Sequence, residues 1–264
     1  MAGLIIVHGL AEYAGRYREI AAVLAERGIS CFAYDQRGHG DAPGPRTHVA
    51  RFEHFVHDLH AFGASVRGRF PHLPLFVWGH SMGSIVANLA AAKPDPWFIG
   101  IITSSHSLDV FRRGPDPLSP VTRLTAWIAP RVRVPLRLDS TRISSDEAVQ
   151  RSYASDPRIP KDASLRLIVE FAAACARCRE IAPQMRVPWL VVHGEDDRIA
   201  PVSGSRTLFE LLGSTDKKLV TYPQLRHEVH NERPDDRARF IDLVAEWILA
   251  RVPQTARAVG APRR

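Results

Sequence analysis

A serine between two glycines is the strongest chemical signal in the chain. Residues 79–83 have the sequence Gly-His-Ser-Met-Gly, which is a G-x-S-x-G pattern centred on Ser81. An apolar run typical of a buried strand precedes it and a helical run follows, and a sharp turn between the two exposes the serine as a nucleophile. The flanking glycines leave room for the strained backbone of such a turn. An arbitrary glycine–serine turn is the weaker alternative because both flanking elements are in place.

A serine nucleophile needs a base to take its proton and an acid to orient that base. The expected order along the chain is serine, acid, histidine. Asp196 and Asp197 follow one predicted strand, and His227 and His230 follow the next. A single loop histidine or aspartate is usually a solvated turn residue, but here the candidates occur in the expected order after strand ends. We therefore predict a triad that includes Ser81, one of these aspartates and one of these histidines.

The negative charge that develops on a substrate oxygen needs two backbone N–H donors. The residue after the nucleophile, Met82, would supply one at the start of a helix. The loop after the first predicted strand would supply the other, and Leu10 is the candidate there. Gly9 precedes it and lets the backbone bend toward the site. We predict an oxyanion hole formed by the N–H groups of Leu10 and Met82.

Short apolar runs alternate with helical patterns through most of the chain, which predicts a mostly parallel sheet with helices on both faces. In such a sheet the functional residues lie at the carboxyl ends of the strands. The predicted strands are 3–7, 29–34, 75–78, 98–103, 189–193 and 217–222, and the predicted helices are 17–26, 52–70, 82–92, 203–212 and 235–249.

The alternation is interrupted in the middle of the chain. Residues 108–185 contain no convincing strand, several prolines, and helical patterns at 145–155 and 163–181. We predict that residues 1–107 and 186–250 form the core and that 108–185 form a helical cap that contains the substrate-binding residues. Basic and apolar residues alternate at 131–138, which fits equally an ordinary half-exposed segment and a lip resting on a lipid surface.

The charge and the cysteines limit the other functions. The formal net charge is +7, but four of the arginines are in the tail 251–264, which we predict to be disordered, and no basic helix face predicts nucleic-acid binding. No signal peptide or membrane-spanning run is present, and three cysteines indicate a reducing compartment. We predict a cytoplasmic protein, with peripheral contact to a lipid surface as an option. The CxxC at 175–178 lacks the second pair that a zinc site needs.

Several motifs together resemble one family. They are His-Gly-Leu-Ala-Glu-Tyr at 8–13, Gly-Arg-Tyr at 15–17, Asp-Gln-Arg-Gly-His-Gly at 35–40, the elbow at 79–83, Tyr-Ala-Ser-Asp-Pro at 153–157, Gly-Glu-Asp-Asp-Arg at 194–198 and His-Glu-Val-His-Asn-Glu at 227–232. The chain resembles the monoacylglycerol lipase and lysophospholipase group of α/β-hydrolases. The resemblance implies the α/β-hydrolase fold and hydrolysis of fatty-acyl esters through an acyl-enzyme, under a cap with an apolar acyl tunnel and without cofactor or metal.

The resemblance also distinguishes between the candidates for the triad. It implies Asp197 rather than Asp196 as the acid and His227 rather than His230 as the base. Two departures stand out: Asp41 is present where the family usually has serine, and two early strands of the family precede the point where this chain begins. We therefore expect the strand at 29–34 to be a sheet edge.

Other functions on the same framework remain as alternatives. A general carboxylesterase or an acyltransferase would use the same triad, and a ligand-binding receptor of this fold would need no catalysis. The sequence does not determine an oligomeric state, the acyl length or the head group of the substrate.

Overall fold

A parallel sheet of six strands forms the centre of the computed structural model, which describes residues 1–92, 96–112, 115–136 and 138–253. The strands are β1 (Ala2–Val7), β2 (Ile29–Ala33), β3 (Leu75–His80), β4 (Ile101–Ser104), β5 (Arg133–Pro135), β6 (Asp162–Ser164), β7 (Trp189–Gly194) and β8 (Lys217–Tyr222). The main sheet has the order β2-β1-β3-β4-β7-β8, and every neighbouring pair in it is parallel. The predicted fold is confirmed, and β2 lies at a sheet edge.

The described residues contain eight helices. They are α1 (Arg18–Glu26), α2 (Glu53–Arg69), α3 (Met82–Ala90), α4 (Pro120–Ile128), α5 (Glu147–Ser155), α6 (Leu165–Ile181), α7 (Ser203–Leu211) and α8 (Pro234–Arg251) among the described residues, with short 3-10 turns between them. The helices predicted in the core agree with α1, α2, α3, α7 and α8 to within a few residues.

Both faces of the sheet are buried, because successive side chains along a strand point into two different apolar layers. Ile5 and Val7 of β1 pack in the layer that contains α2, α3 and α6. Leu4 and Ile6 of the same strand pack in the opposite layer, with α1 and α8. Burial of each such side chain contributes about 1.5–3 kcal/mol. This two-sided burial explains why the strands are continuous apolar runs rather than alternating patterns.

The middle of the chain differs from its prediction in two respects. We expected no strand within 108–185, yet β5 and β6 form a two-stranded antiparallel sheet with Arg133 opposite Ser164. Each strand has three residues, which is too short for a periodic pattern to be recognised in the sequence. The pairing joins segments about thirty residues apart, so only the folded chain reveals it. Helix α4 was also not predicted.

The end of the predicted cap packs against the core. Cys178 and Ile181 of α6 are in the same apolar cluster as Ile85 of α3. Helices α4 and α5 and the β5–β6 pair precede α6 along the chain. The division into a core and a cap at 108–185 remains a prediction, and the structure adds that α6 joins the two parts.

The carboxyl end of the described chain is helical. Helix α8 extends to Arg251, whose Nε donates to Asp216 Oδ2 at 2.9 Å. The first residue of the predicted tail 251–264 is therefore ordered, and residues 254–264 lie outside the described part of the chain. Within the described residues, no helix is both long and apolar enough to cross a membrane.

Candidate active site

Ser81 occupies a strained turn between β3 and α3. Its backbone has φ +51° and ψ −121°, a region that residues with a side chain rarely adopt. Such strain costs about 1–3 kcal/mol and persists only where the surroundings enforce it. A Cβ on Gly83 would lie 2.0 Å from the Val7 carbonyl oxygen, so only glycine lets α3 approach β1 this closely. This packing holds the serine at the carboxyl edge of the sheet.

Three side chains from three loops form a chain of hydrogen bonds at that edge. Ser81 Oγ lies 3.0 Å from His227 Nε2, and His227 Nδ1 lies 2.7 Å from Asp197 Oδ2. Because Nδ1 faces a carboxylate, it carries the proton, and Nε2 is free to accept from the serine hydroxyl. His227 and Asp197 are both buried. The structure therefore brings together the three residues that the sequence singled out as nucleophile, base and acid.

Asp197 is held by four donors. Its Oδ1 accepts from the backbone N–H groups of Ile199 at 2.8 Å and Ala200 at 2.9 Å. Its Oδ2 accepts from His227 and also lies 3.0 Å from Nε2 of His193. Burial raises the pKa of this carboxyl, but the neighbouring histidines and their hydrogen bonds lower it by more, so the net pKa lies well below its ordinary value. The carboxylate is therefore charged and has a single orientation.

Sequence analysis did not single out His193, the penultimate residue of β7. Its Nε2 also lies 2.9 Å from the Ala200 carbonyl oxygen, and its Nδ1 lies 2.6 Å from Ser205 Oγ. Since Nε2 faces two acceptors, it carries the proton and donates to both, while Nδ1 accepts from the serine hydroxyl. The only available signal was a histidine at the carboxyl end of a predicted strand. Its contact with Asp197 depends on the turn that follows.

The surroundings of His227 shift its proton affinity. Burial lowers the pKa of the imidazole, but the charge of Asp197 and the hydrogen bond to it outweigh burial, and the net pKa is raised. His80 packs against this ring at a centroid distance of 4.9 Å, and burial lowers its own pKa, so it adds no positive charge. His227 can thus accept a proton and keep it while a reaction proceeds.

The predicted oxyanion donors lie on either side of Ser81. Met82 is the first residue of α3, where backbone N–H groups have no partner within the helix. Gly9 approaches from the other side, because a Cβ on it would lie 3.0 Å from Ser81 Cβ. Leu10 follows it and lines the same cavity as Ser81. The roles of these two N–H groups remain a prediction that this placement favours.

Ser81 opens into a cavity of about 130 Å³. Its wall is mostly apolar and includes Val110, Phe111, Leu136, Leu138, Ile143, Tyr153, Ile168, Phe171 and Ile199. Glu12 and Glu228 line it as well and make part of it acidic. Tyr153 and Ile168 lie within the predicted cap, so part of the wall comes from the segment in which we expected the substrate-binding residues.

One guanidinium lies between the two carboxylates of this cavity. Arg16 donates from Nη2 to Glu228 Oε2 at 2.7 Å and from Nη1 to Glu12 Oε2 at 3.3 Å. Burial raises the pKa of Glu12 to about 7, whereas the pKa of Glu228 is lowered because Arg16 and Asn231 outweigh its burial. Glu12 also accepts from the Gly9 N–H, which ties this network to the loop that carries Leu10.

The other candidates from the sequence lie outside this arrangement. Asp196 is half-exposed and pairs with Arg198 at 3.2 Å, and His230 is buried and stacks on Tyr17. The structure thus places His227, rather than His230, against Ser81, and Asp197, rather than Asp196, against His227. Asp41 is exposed, and its N–H donates to Asp35 at 2.7 Å.

Among the described residues, the cysteines of the CxxC motif belong to no group that could hold a metal ion. Cys175 and Cys178 are buried on α6, and burial raises the pKa of both thiols. In the part of the chain that the structure describes, no group of three histidine, cysteine or acidic residues could hold a metal ion.

This fold, with a serine at a strand-to-helix turn on the carboxyl edge of a parallel sheet, defines the class of α/β-hydrolases. Residues 1–234 match the family described as serine aminopeptidase, S33, and the chain belongs to that family. The monoacylglycerol lipase of Mycolicibacterium smegmatis is 32% identical over 251 residues, which cover 94% of this chain and 88% of the relative. The human monoglyceride lipase is 31% identical over 253 residues, which cover 94% and 82%.

Solved structures agree with this assignment. A monoglyceride lipase variant from Saccharomyces cerevisiae, in complex with a substrate analogue, has a TM-score of 0.84 and 27% identity, over 94% of this chain and 86% of that one. The Paleococcus ferrophilus monoacylglycerol lipase has a TM-score of 0.82 and 26% identity, over 94% of each chain. The predicted resemblance and the expectation of a carboxylic ester hydrolase are confirmed.

Proposed function

We propose that the chain hydrolyses fatty-acyl esters of glycerol or a similar small alcohol, with Ser81 as nucleophile, His227 as base and Asp197 as the acid that orients the base. The observation that carries this proposal is the hydrogen bond between Ser81 and His227, at the wall of a mostly apolar cavity that two carboxylates also line. The named activity of the relatives supports the same substrate class.

The geometry supports a two-step reaction. Ser81 Oγ attacks the ester carbonyl carbon while His227 Nε2 takes the hydroxyl proton, and the N–H groups of Leu10 and Met82 stabilise the oxyanion. The C–O bond to the alcohol then breaks, and His227 returns the proton to the leaving alcohol. A water molecule then attacks the acyl-enzyme and loses a proton to His227. His227 passes this proton to Ser81 Oγ as the bond between Oγ and the acyl carbon breaks, which releases the fatty acid and the free serine. Asp197 stabilises the imidazolium in both steps.

The two carboxylates favour a neutral head group. Hydroxyl groups of glycerol can donate to Glu12 or Glu228, which line the cavity beside Ser81. A phosphate in the same place would meet at least one negative charge, because Arg16 is already shared between both carboxylates. We therefore rank monoacylglycerol-like substrates above lysophospholipid-like ones.

A labelling experiment combined with a substrate panel tests this function. A fluorophosphonate probe should label the wild-type protein but not Ser81→Ala, and a loss on the order of 10⁶ in kcat is expected for that variant. Ser107→Ala is the matched control, since Ser107 Oγ lies only 3.4 Å from Ser81 Oγ. Among monoacylglycerols, lysophospholipids and p-nitrophenyl esters, the monoacylglycerols should give the highest kcat/KM. Full activity of a folded Ser81→Ala protein would falsify the mechanism, and acyl transfer to an added alcohol would favour an acyltransferase.

We also propose that α4 rests on a lipid surface. Its large apolar residues are exposed rather than buried: Val121 by 75%, Leu124 by 57%, Trp127 by 72% and Ile128 by 66%. Large apolar side chains grouped on one exposed helix are typical of interfacial contact, and Arg131 lies shortly after the helix.

Sedimentation with phosphatidylcholine vesicles, with and without anionic lipid, tests this contact. The wild type should sediment with the vesicles, and the double variant Leu124→Ser/Trp127→Ser should not. Phe70→Ser is the control because Phe70 is also exposed, by 45%, but lies on the α2 side. Equal sedimentation of all three proteins would contradict the proposal.

A further inference from the structure

The catalytic cavity is small for a long fatty acid. Its volume of about 130 Å³ is close to that of an apolar cavity that holds one benzene molecule, about 150 Å³. The ester group and a short acyl segment fill such a space. A longer acyl chain needs a second space, and the structure offers one nearby.

The second space lies between α6 and the segment after β4, and we call it the distal chamber. It has a volume of about 410 Å³, and its lining includes the charged residues Asp109, Arg112, Asp116 and Arg179. Its apolar part is lined by Leu108, Phe111, Leu118, Ala172, Cys175 and Ala176. Phe111 is the single residue, among those the structure describes, that lines both the distal chamber and the catalytic cavity. Its ring contacts Phe171, another wall residue of the catalytic cavity, at a centroid distance of 5.1 Å.

The backbone before Phe111 is anchored on both sides. Cys175 Sγ lies 3.4 Å from the Ser107 carbonyl oxygen, and Arg179 donates to the Leu108 carbonyl oxygen at 3.3 Å. The Asp109 carboxylate binds Ser203 Oγ at 2.6 Å and also pairs with Arg179. These contacts fix the wall between the two spaces, so that the half-buried side chain of Phe111 is the part that can turn.

Another cavity next to the catalytic one is less accessible. It shares Leu136, Leu138 and Tyr153 with the catalytic cavity, so three side chains rather than one separate the two spaces. Tyr153 is also buried against the Ala11 carbonyl oxygen, which its hydroxyl approaches at 3.4 Å. The single-ring partition at Phe111 is therefore the easier one to open.

We infer that Phe111 determines the acyl-chain length that the enzyme accepts, because its ring separates the catalytic cavity from the distal chamber. This inference rests on the proposed function and names the residue that sets its acyl specificity. In the wild type, added methylenes improve binding until the catalytic cavity is full. When the ring is removed, the two spaces join and further methylenes are buried in the distal chamber.

An acyl-length series tests this inference. The kcat/KM for monoacylglycerols below their critical micelle concentration should stop rising at a medium acyl length in the wild type. In Phe111→Ala it should continue to rise, by up to about fourfold per added methylene, which is the gain expected from complete burial. Phe111→Leu should show a smaller change in the same direction. Phe70→Ala, which removes a phenylalanine remote from both spaces, should keep the wild-type profile.

A second variant identifies the space that receives the acyl chain. Ala176 lines only the distal chamber, so Phe111→Ala/Ala176→Phe should lose the gain for long esters while keeping the wild-type rate on short ones. Retention of the gain in this double variant, or identical length profiles for wild type and Phe111→Ala, overturns the inference and leaves ester hydrolysis intact. Absence of hydrolysis at every length, together with absence of fluorophosphonate labelling, overturns the proposed function and this inference with it.

Discussion

The carboxyl edge of the sheet and the covering segment, by which we mean the predicted cap at residues 108–185, are built in different ways. At the edge, Asp197 has four hydrogen-bond donors and Ser81 is enclosed by glycines that permit backbone contact. In the covering segment, the β5–β6 pair has three residues per strand, and α4 exposes most of its large apolar side chains. Proton transfer requires fixed geometry, whereas an acyl chain of variable length is best accommodated by a wall with spare space.

The two regions meet in the segment between β4 and Phe111. Ser107 lies beside Ser81, and its carbonyl oxygen is bound by Cys175 of α6. A few residues later, Phe111 borders the distal chamber. The comparison therefore predicts that substitutions at the sheet edge change kcat or stability strongly, and that substitutions in the covering segment change substrate preference or lipid contact instead.

The largest expected effect distinguishes two adjacent aspartates. Asp197→Asn should lower kcat by on the order of 10⁴, because an amide no longer holds the His227 tautomer. Asp196→Asn should change kcat by less than about tenfold, since Asp196 is half-exposed and pairs only with Arg198. Steady-state kinetics of the two variants measures the difference. The reverse order would mean that the acid of the triad is the neighbouring residue.

Matched tryptophan truncations compare the stability of the two regions. Trp78 is fully buried in β3, and its Nε1 donates to Ser104 at 2.9 Å, so Trp78→Ala should reduce the free energy of unfolding by about 3–5 kcal/mol. Trp127→Ala in α4 should change it by less than about 0.5 kcal/mol, because that side chain is 72% exposed. Chemical denaturation measures both. Similar losses in the two variants would show that α4 is covered in solution.

Substitution of His193, a positioning residue at the sheet edge, should have a smaller effect on kcat. His193→Leu removes one donor from Asp197, and we expect kcat to fall by about tenfold with KM nearly unchanged. The less satisfied carboxylate then attracts the His227 imidazolium more strongly, so the acid limb of the kcat pH profile should move to higher pH. His193→Gln, which retains a donor, should restore part of kcat. A change in KM alone would contradict this role.

The change of kcat/KM with pH is the smallest effect that we expect, and its sign is definite. Only neutral His227 accepts the serine proton, and its pKa is raised above the ordinary value of about 6.5, so kcat/KM should fall as pH decreases through that raised pKa. The groups that face this imidazole are Asp197, Glu228, Glu12 and His80. Rates between pH 5 and 9 measure the profile, with Asp196→Asn as the control. An acid limb well below pH 6.5 would contradict the shift.

The strands and helices that local sequence patterns specify could be predicted from the sequence. The strands β1, β7 and β8 were predicted to within a residue or two because strands buried on both faces are uninterrupted apolar runs. Helix α1 ends two residues before Gly28 and α2 two residues before Pro71, and both residue types commonly terminate helices. By contrast, β5 and β6 are too short to show a period. Helix α4 was not predicted because several prolines lie around it in the sequence, although Val121, Leu124 and Ile128 have helical spacing.

The sequence by itself determined which elements form, because the periodic pattern of apolar residues acts over short distances. It also determined where the reactive serine follows its strand, because the backbone sterics around Gly79, Ser81 and Gly83 are local. Only the tertiary structure decided which partners those side chains find. The contact of His227 with Asp197, the pairing of Arg16 with Glu228, and the position of Phe111 between two spaces depend on loops packing against each other. Close packing of residues far apart in the chain sets those distances, and no local pattern encodes them.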